Sequence, residues 1–229
     1  DLRKRVIAGA IAFGVLSTGL CFALVYQSPA RTDEIYSAAL KDFEDGNYQN
    51  SYYLFSKIGL FSKLKPISIY HRAECARMLD DDKSELKQYQ LLFNNYPKHE
   101  LSIRARYLAG QKLVKDRPQL AKKYFEYIIH NSPETDYAIA SDYYLGVILK
   151  NKYEHAKIFP QSVKDDVQNH FRHYIEKAPS GKLAMSAVND WLSIDTEIAK
   201  DDYLLMARTC YLFGEYEKAR ELLGKTDIS

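Results

Sequence analysis

Residues 101–133, LSIRARYLAGQKLVKDRPQLAKKYFEYIIHNSP, decide the reading of the fold. Ile103, Ala105, Tyr107, Leu108, Leu113 and Val114 recur mostly at three- and four-residue steps, the spacing of one apolar face of a helix. Asp116-Arg117-Pro118 interrupts the pattern, and Pro118 suits the first turn of a second helix. That helix carries Leu120, Ala121, Tyr124, Phe125, Ile128 and Ile129 on one face and ends at His130-Asn131-Ser132-Pro133. Two short antiparallel helices cannot bury their apolar faces alone, so the pattern predicts neighbouring pairs stacked on this one.

Working outward, a small residue stands in the middle of each first helix at Ala39, Ala73, Ala109, Gly146 and Ala207. The first three intervals are 34, 36 and 37 residues, a period that marks helix-pair repeats. Pro97 and Pro133 close successive second helices 36 residues apart, and Pro179 follows after 46. The small residue is expected where the two helices of a hairpin cross, because a bulky side chain there would hold them apart. Gly146 is otherwise unwelcome inside a helix, which strengthens the close-approach reading. Pro179 follows Gly146 at an interval of 33 residues where this pattern expects about 24. The excess falls around residues 153–161, read as a loop or short extra helix because of Pro160.

These residues resemble the tetratricopeptide repeat family. The last unit, YLLMARTCYLFGEYEKARELL at residues 203–223, supplies Ala207, then Gly214 and Tyr216 in the turn, then Ala219. The first, residues 36–58, has the Gly46-Asn47-Tyr48 turn and Phe55, with Ser51 in place of the expected alanine. The central unit keeps Ala109, Ala121, Phe125 and Pro133 without a turn glycine, and a degenerate element at residues 183–192 carries the single tryptophan, Trp191. The resemblance implies an all-α fold, a right-handed superhelix of antiparallel helix pairs. Three phrases, LLFNNYPKHELSIRARYLAGQ, SPETDYAIASDYYLGVIL and HYIEKAPSGKLAMSAVNDWL, also look like the helical-repeat part of soluble lytic murein transglycosylases. Those enzymes mark a catalytic glutamate with a following serine, and no Glu-Ser pair occurs in these 229 residues. That resemblance implies a scaffold whose catalytic domain lies beyond Ser229.

Residues 6–26 hold 21 residues without a charge, long enough at about 1.5 Å per residue for the roughly 30 Å hydrocarbon core of a bilayer. Arg3-Lys4-Arg5 precede this run and a lone Arg31 follows before Asp33 and Glu34. The cation excess predicts a cytoplasmic N-terminus and a single-pass anchor in the inner (cytoplasmic) membrane, with the repeats on the extracytoplasmic, periplasmic side. A cleaved secretory signal is the competing reading. The expected organisation is a transmembrane anchor and short linker at residues 1–30 and a repeat domain at 31–229, truncated at its C-terminus.

Composition narrows the chemistry. A formal charge of +2, evenly spread, does not advertise nucleic-acid binding. Cys21, Cys75 and Cys210 form no metal or redox spacing and read as small hydrophobic packers. His170 and His173 share a helix face with Asp166 in a spacing that could ligate a metal, but a solvated helix face is the reading preferred over a metal site. Asp80-Asp81-Asp82 and Asp201-Asp202 precede helices, where acids cap and favour the N-terminus. No catalytic residue, cofactor or metal is assigned.

The 19 tyrosines are the unusual feature. Three residues before the small anchors stand Tyr36, Tyr70, Arg106, Tyr143 and Leu204, an expected column along a concave groove, with Arg77, Lys150, Arg208 and Tyr211 beside it. Tyrosine offers an apolar face and a hydroxyl suited to sugar rings or extended peptides, and arginine a bidentate donor for carboxylates; the competing and preferred reading of these tyrosines is packing between adjacent repeats. The expected partner is a protein segment or peptidoglycan strand. The expected function is a non-catalytic, membrane-anchored scaffold of a peptidoglycan lytic transglycosylase, or an interaction module of an envelope assembly complex with no enzyme attached.

Overall fold

The computed structural model describes residues 28–154, 158–194 and 197–226. The described residues form helices and connecting turns, without strands. In chain order the helices are α1 (Pro29–Glu44), α2 (Tyr48–Ser56), α3 (Lys65–Met78), α4 (Asp82–Asn95), α5 (Glu100–Leu113), α6 (Pro118–Asn131), α7 (Asp136–Tyr153), α8 (Gln161–Lys177), α9 (Ala184–Leu192), α10 (Lys200–Leu212) and α11 (Tyr216–Gly224). They group into two compact units, one ending at Ser102 and the other beginning at Ile103. No described helix is long and apolar enough to cross a membrane; the uncharged run 6–26, read above as an anchor, lies outside the described residues.

Local chemistry sets the boundaries. Ser28 caps α1 by accepting from the Arg31 amide, with Pro29 in the first turn. Asp81 caps α4 through the Ser84 amide at 3.0 Å, and Thr135 caps α7 through the Ala138 amide at 3.2 Å. Pro118 opens α6 as the sequence predicts. The hairpin turns use left-handed backbone: Gly46 at φ +80°, Gly214 at φ +77°, and Asp80 at φ +54° where no glycine is available.

In the unit ending at Ser102, Ala39, Phe55 and Cys75 form a fully buried cluster between α1, α2 and α3. Ser51, standing where alanine is expected, is fully buried too: its hydroxyl donates to the Ala39 carbonyl at 2.8 Å and accepts from the Cys75 thiol at 3.3 Å. A satisfied hydroxyl can occupy the crossing of two helices, which a bare one could not.

In the unit beginning at Ile103, the core gathers Phe171, Ile175, Val188, Trp191, Met206 and Cys210 from α8, α9 and α10. All five small anchors are buried. Sixteen residues beyond Ala39, Ala73 and Ala109 lie Phe55, Tyr89 and Phe125, each 0% exposed. The equivalent partner of Gly146 is Phe171, twenty-five residues on. The nine extra residues are absorbed partly by an 18-residue α7 that runs on to Tyr153, and not only by the loop or separate short helix expected there.

Candidate functional site

The expected groove column divides between the two units. In the first, Tyr36 bonds His71 Nε2 through its hydroxyl at 3.1 Å and sets its ring edge against Phe55. Tyr70 is buried, 7% exposed, against His71 and Tyr89. Arg77 is exposed on α3 and pairs with Glu74 one turn away at 3.0 Å, so its fork engages its own helix.

In the second unit, Tyr143 and Lys150 are brought together. The Tyr143 hydroxyl donates to Asp190 Oδ2 at 2.9 Å, and Lys150 Nζ donates to Oδ1 at 2.8 Å, tying α7 to α9 through one carboxylate. Tyr143 is 6% exposed, its ring closed in by Tyr144, Phe171 and Tyr174. Burial, with the Asp190 charge and bond, pushes its phenol upward and keeps it a donor. Arg106 lays its guanidinium 3.7 Å from the Tyr127 ring centre, and burial pulls its pKa down. Arg208 and Tyr211 are exposed on α10, with Tyr211 edge-on to Tyr216. Leu204 is exposed on the same helix. Tyr70 and Tyr143 therefore present packed rings, while Arg208 and Tyr211 present open surface.

The histidine pair has a different partner from the one its helix spacing suggested. His170 Nδ1 and His173 Nδ1 face the two oxygens of Asp142, at 2.8 and 2.7 Å, rather than gathering with Asp166. Burial alone would raise the Asp142 carboxyl, but the two imidazoles outweigh it and hold the group below the ordinary carboxylate range. Among the described residues no group of three such side chains is arranged to hold a metal ion.

A cleft that the residue pattern did not announce opens beside this clasp. It encloses about 850 Å³ between the start of α7 and the α8–α9 connection, with Tyr107, Tyr137 and Tyr174 in its walls and Lys177 and Lys182 at its rim. A second hollow of about 290 Å³ continues it, sharing Glu134, Ile139 and Lys177 and reaching Asp142 and His173.

The cleft's frame is built by short-range bonds. The Thr135 hydroxyl donates to the Ser132 carbonyl at 2.7 Å and so fixes the approach to α7. The Leu183 amide donates to the Tyr174 hydroxyl at 3.2 Å, fastening the α8–α9 connection. Gly181 permits this: a Cβ there would stand 2.6 Å from the Tyr174 hydroxyl and 3.1 Å from the Ala178 carbonyl. Gln111 donates to the hydroxyls of Tyr107 at 3.1 Å and Tyr144 at 2.8 Å, and the Tyr107 and Tyr137 rings lie 5.3 Å apart. Burial raises the pKa of Tyr107 and Tyr174, so both phenols remain protonated. Exposed Lys177 and Lys182 face exposed Glu134 and Asp136 across the opening. Aromatic walls suit an extended chain, and the rim offers Lys177 and Lys182 to carboxylates that chain carries and Glu134 and Asp136 to its cations. The sequence signal was the pair of lysines flanking Ala178-Pro179-Ser180-Gly181.

No protein-family model and no curated protein matches the chain. Among the solved structures similar to it are three helical-repeat proteins. MamA (AMB-1) matches over 87% of this chain and 92% of its own, at 12% identity and a TM-score of 0.48. PilW, described as a widely conserved type IV pilus biogenesis factor, matches over 86% and 93% at 12% identity and a TM-score of 0.45. A Podosopora anserina kinesin light chain with nearly identical TPR-like repeats matches over 88% and 95%, at 12% identity and a TM-score of 0.48. The tetratricopeptide-like character of the chain rests on its own helix pairs, turns and buried small residues.

Proposed function

We propose that the chain is a helical-repeat scaffold that holds an extended peptide or protein segment in the cleft between α7 and the α8–α9 connection. The observation that carries this reading is the cleft itself, walled by Tyr107, Tyr137 and Tyr174 and edged by Lys177 and Lys182. The uncharged run 6–26, after Arg3-Lys4-Arg5, supports a membrane tether with the repeats on the extracytoplasmic side. The resemblance of three phrases to lytic transglycosylase repeats motivates the finer reading, in which the held partner belongs to peptidoglycan and the scaffold serves a cell-wall lytic enzyme.

The test is binding of soluble muropeptides, and separately of an acidic peptide, to the full chain and to a Tyr137→Ala/Lys182→Glu variant. Tyr137 is half-buried and Lys182 exposed, so helicity by circular dichroism should be unchanged. Binding weakened at least tenfold supports the cleft; equal binding by both proteins rejects it. Binding of the acidic peptide alone favours an assembly module over a cell-wall role.

A further inference from the structure

The first unit is electrically and chemically polarised along its helices. Bonds from Ser51 to Ala39 and from Cys75 to Ser51 set the middles of α1, α2 and α3 at one level. At about 1.5 Å per residue, Pro29 and Lys65 lie about 15 Å to one side of that level, and Ser56 lies on the same side. The turns at 45–47 and 79–81 lie at the opposite end. The turn end is acidic, with Asp42, Glu44, Asp45, Asp80, Asp81 and Asp82 against Lys41, Arg77 and Lys83. The other end carries Arg31, Lys57, Lys63 and Lys98, against Asp33, Glu34 and Glu100.

That basic end also bears an apolar tip. In the connection 57–64, Leu60 is 66% exposed and Phe61 74% exposed, next to exposed Lys57 and Lys63. The exposure is built into the loop. Ile58 is buried, 1% exposed, and its carbonyl accepts from the buried Lys65 ammonium at 2.6 Å, closing the loop at its base. The Ser62 amide donates to the Gly59 carbonyl at 3.2 Å, and the Leu64 amide to the Ser62 hydroxyl at 3.0 Å. Leu60 and Phe61 stand on this frame, turned away from the core. Only Gln27 and Ser28 separate the uncharged run 6–26 from the first turn of α1, a span of about 11 Å at most. The polypeptide therefore enters the repeat at the end that carries the loop.

We propose that the loop 57–64 is a membrane-interface contact: Leu60 and Phe61 enter the headgroup layer of an anionic bilayer, and Lys57 and Lys63 lie among its phosphates. The inference rests on the tethered reading given under Proposed function. Apolar tips flanked by lysines match the chemistry of that layer, and the acidic turns sit at the far end, away from anionic lipid. The contact would set the angle of the first helix pairs on the membrane, which a two-residue connection alone would not.

The test uses the full chain with a Phe61→Trp substitution, reconstituted in vesicles of phosphatidylcholine and phosphatidylglycerol with or without brominated acyl chains. Trp191, at 0% exposure, is shielded from the lipid and serves as the internal reference. The expected result is that the variant floats with the vesicles after alkaline carbonate washing and loses most of its added emission in brominated lipid, while the unsubstituted chain loses little. A chain that stays with the vesicles but keeps its added emission overturns the loop contact, including by a protein partner on that surface, and leaves the tether standing. A chain stripped off by carbonate overturns the tether, and the loop contact with it.

Discussion

A methyl group at Gly146 would stand 2.9 Å from Phe171 Cε1 and 3.0 Å from His170 Cβ, so α7 and α8 touch at the distance glycine allows. Alanine is worth about 1 kcal/mol over glycine within a helix, but forcing a methyl into a filled core costs about 1–3 kcal/mol. Gly146→Ala should therefore be neutral to destabilising by about 2 kcal/mol in urea unfolding. In a double-mutant cycle with Phe171→Leu the two changes should couple favourably, by on the order of 1 kcal/mol. Additive losses would mean that the two residues do not meet.

The Ser51 hydroxyl, fully buried between α1 and α3, is the corresponding device in the first unit. Ser51→Ala leaves no large hole and removes the bond to the Ala39 carbonyl and the weaker one from the Cys75 thiol, so a loss of about 0.5–1.5 kcal/mol is expected. Burial already pushes the Cys75 thiol upward while its bond to Ser51 pulls the other way. Because Cys75 is fully buried it is alkylated only when the fold opens, so the loss of stability in Ser51→Ala should speed its labelling, and unchanged labelling would contradict this arrangement.

His71 stacks on Phe55 with ring centres 4.9 Å apart and bonds Tyr36, and burial holds its imidazole below the ordinary value of 6.5, against the opposing pull of Glu74. The unfolded chain takes up this proton first as pH falls. The contribution is thus fully present above pH 6.5 and is lost as pH drops from there through the depressed folded value. Compared with His71→Phe, the unsubstituted chain should lose up to about 1.4 kcal/mol per pH unit in that window. Parallel stability curves would show that His71 is not held neutral by the fold. Asp142 acts at lower pH: its carboxyl is depressed, so its contribution is present above 3.8 and lost as pH falls further.

Much of the fold could be read from spacing, because helix crossings need small residues whatever the surroundings. Ala39, Ala73, Ala109, Gly146 and Ala207 are all buried. The turn glycines Gly46 and Gly214 adopt the left-handed backbone their positions require. Cys75 and Cys210 are buried packers, as read from composition. The tyrosine column was less legible. Register alone placed Tyr70 and Tyr143 on a common face, but each ring is enclosed by aromatic neighbours supplied by other helices. The cleft was hidden for a similar reason. Tyr137 and Lys182 lie forty-five residues apart, and only the return of α8 along α7 brings their segments together.

The most direct measurement is hydrogen–deuterium exchange of the full chain with and without soluble muropeptides and an acidic peptide. Slower exchange confined to residues 134–140 and 174–183 is expected with at least one of the two probes. Unchanged exchange in those segments when either probe is bound, or protection confined to the unit ending at Ser102, would contradict the assignment of this cleft as the place where the scaffold holds its partner.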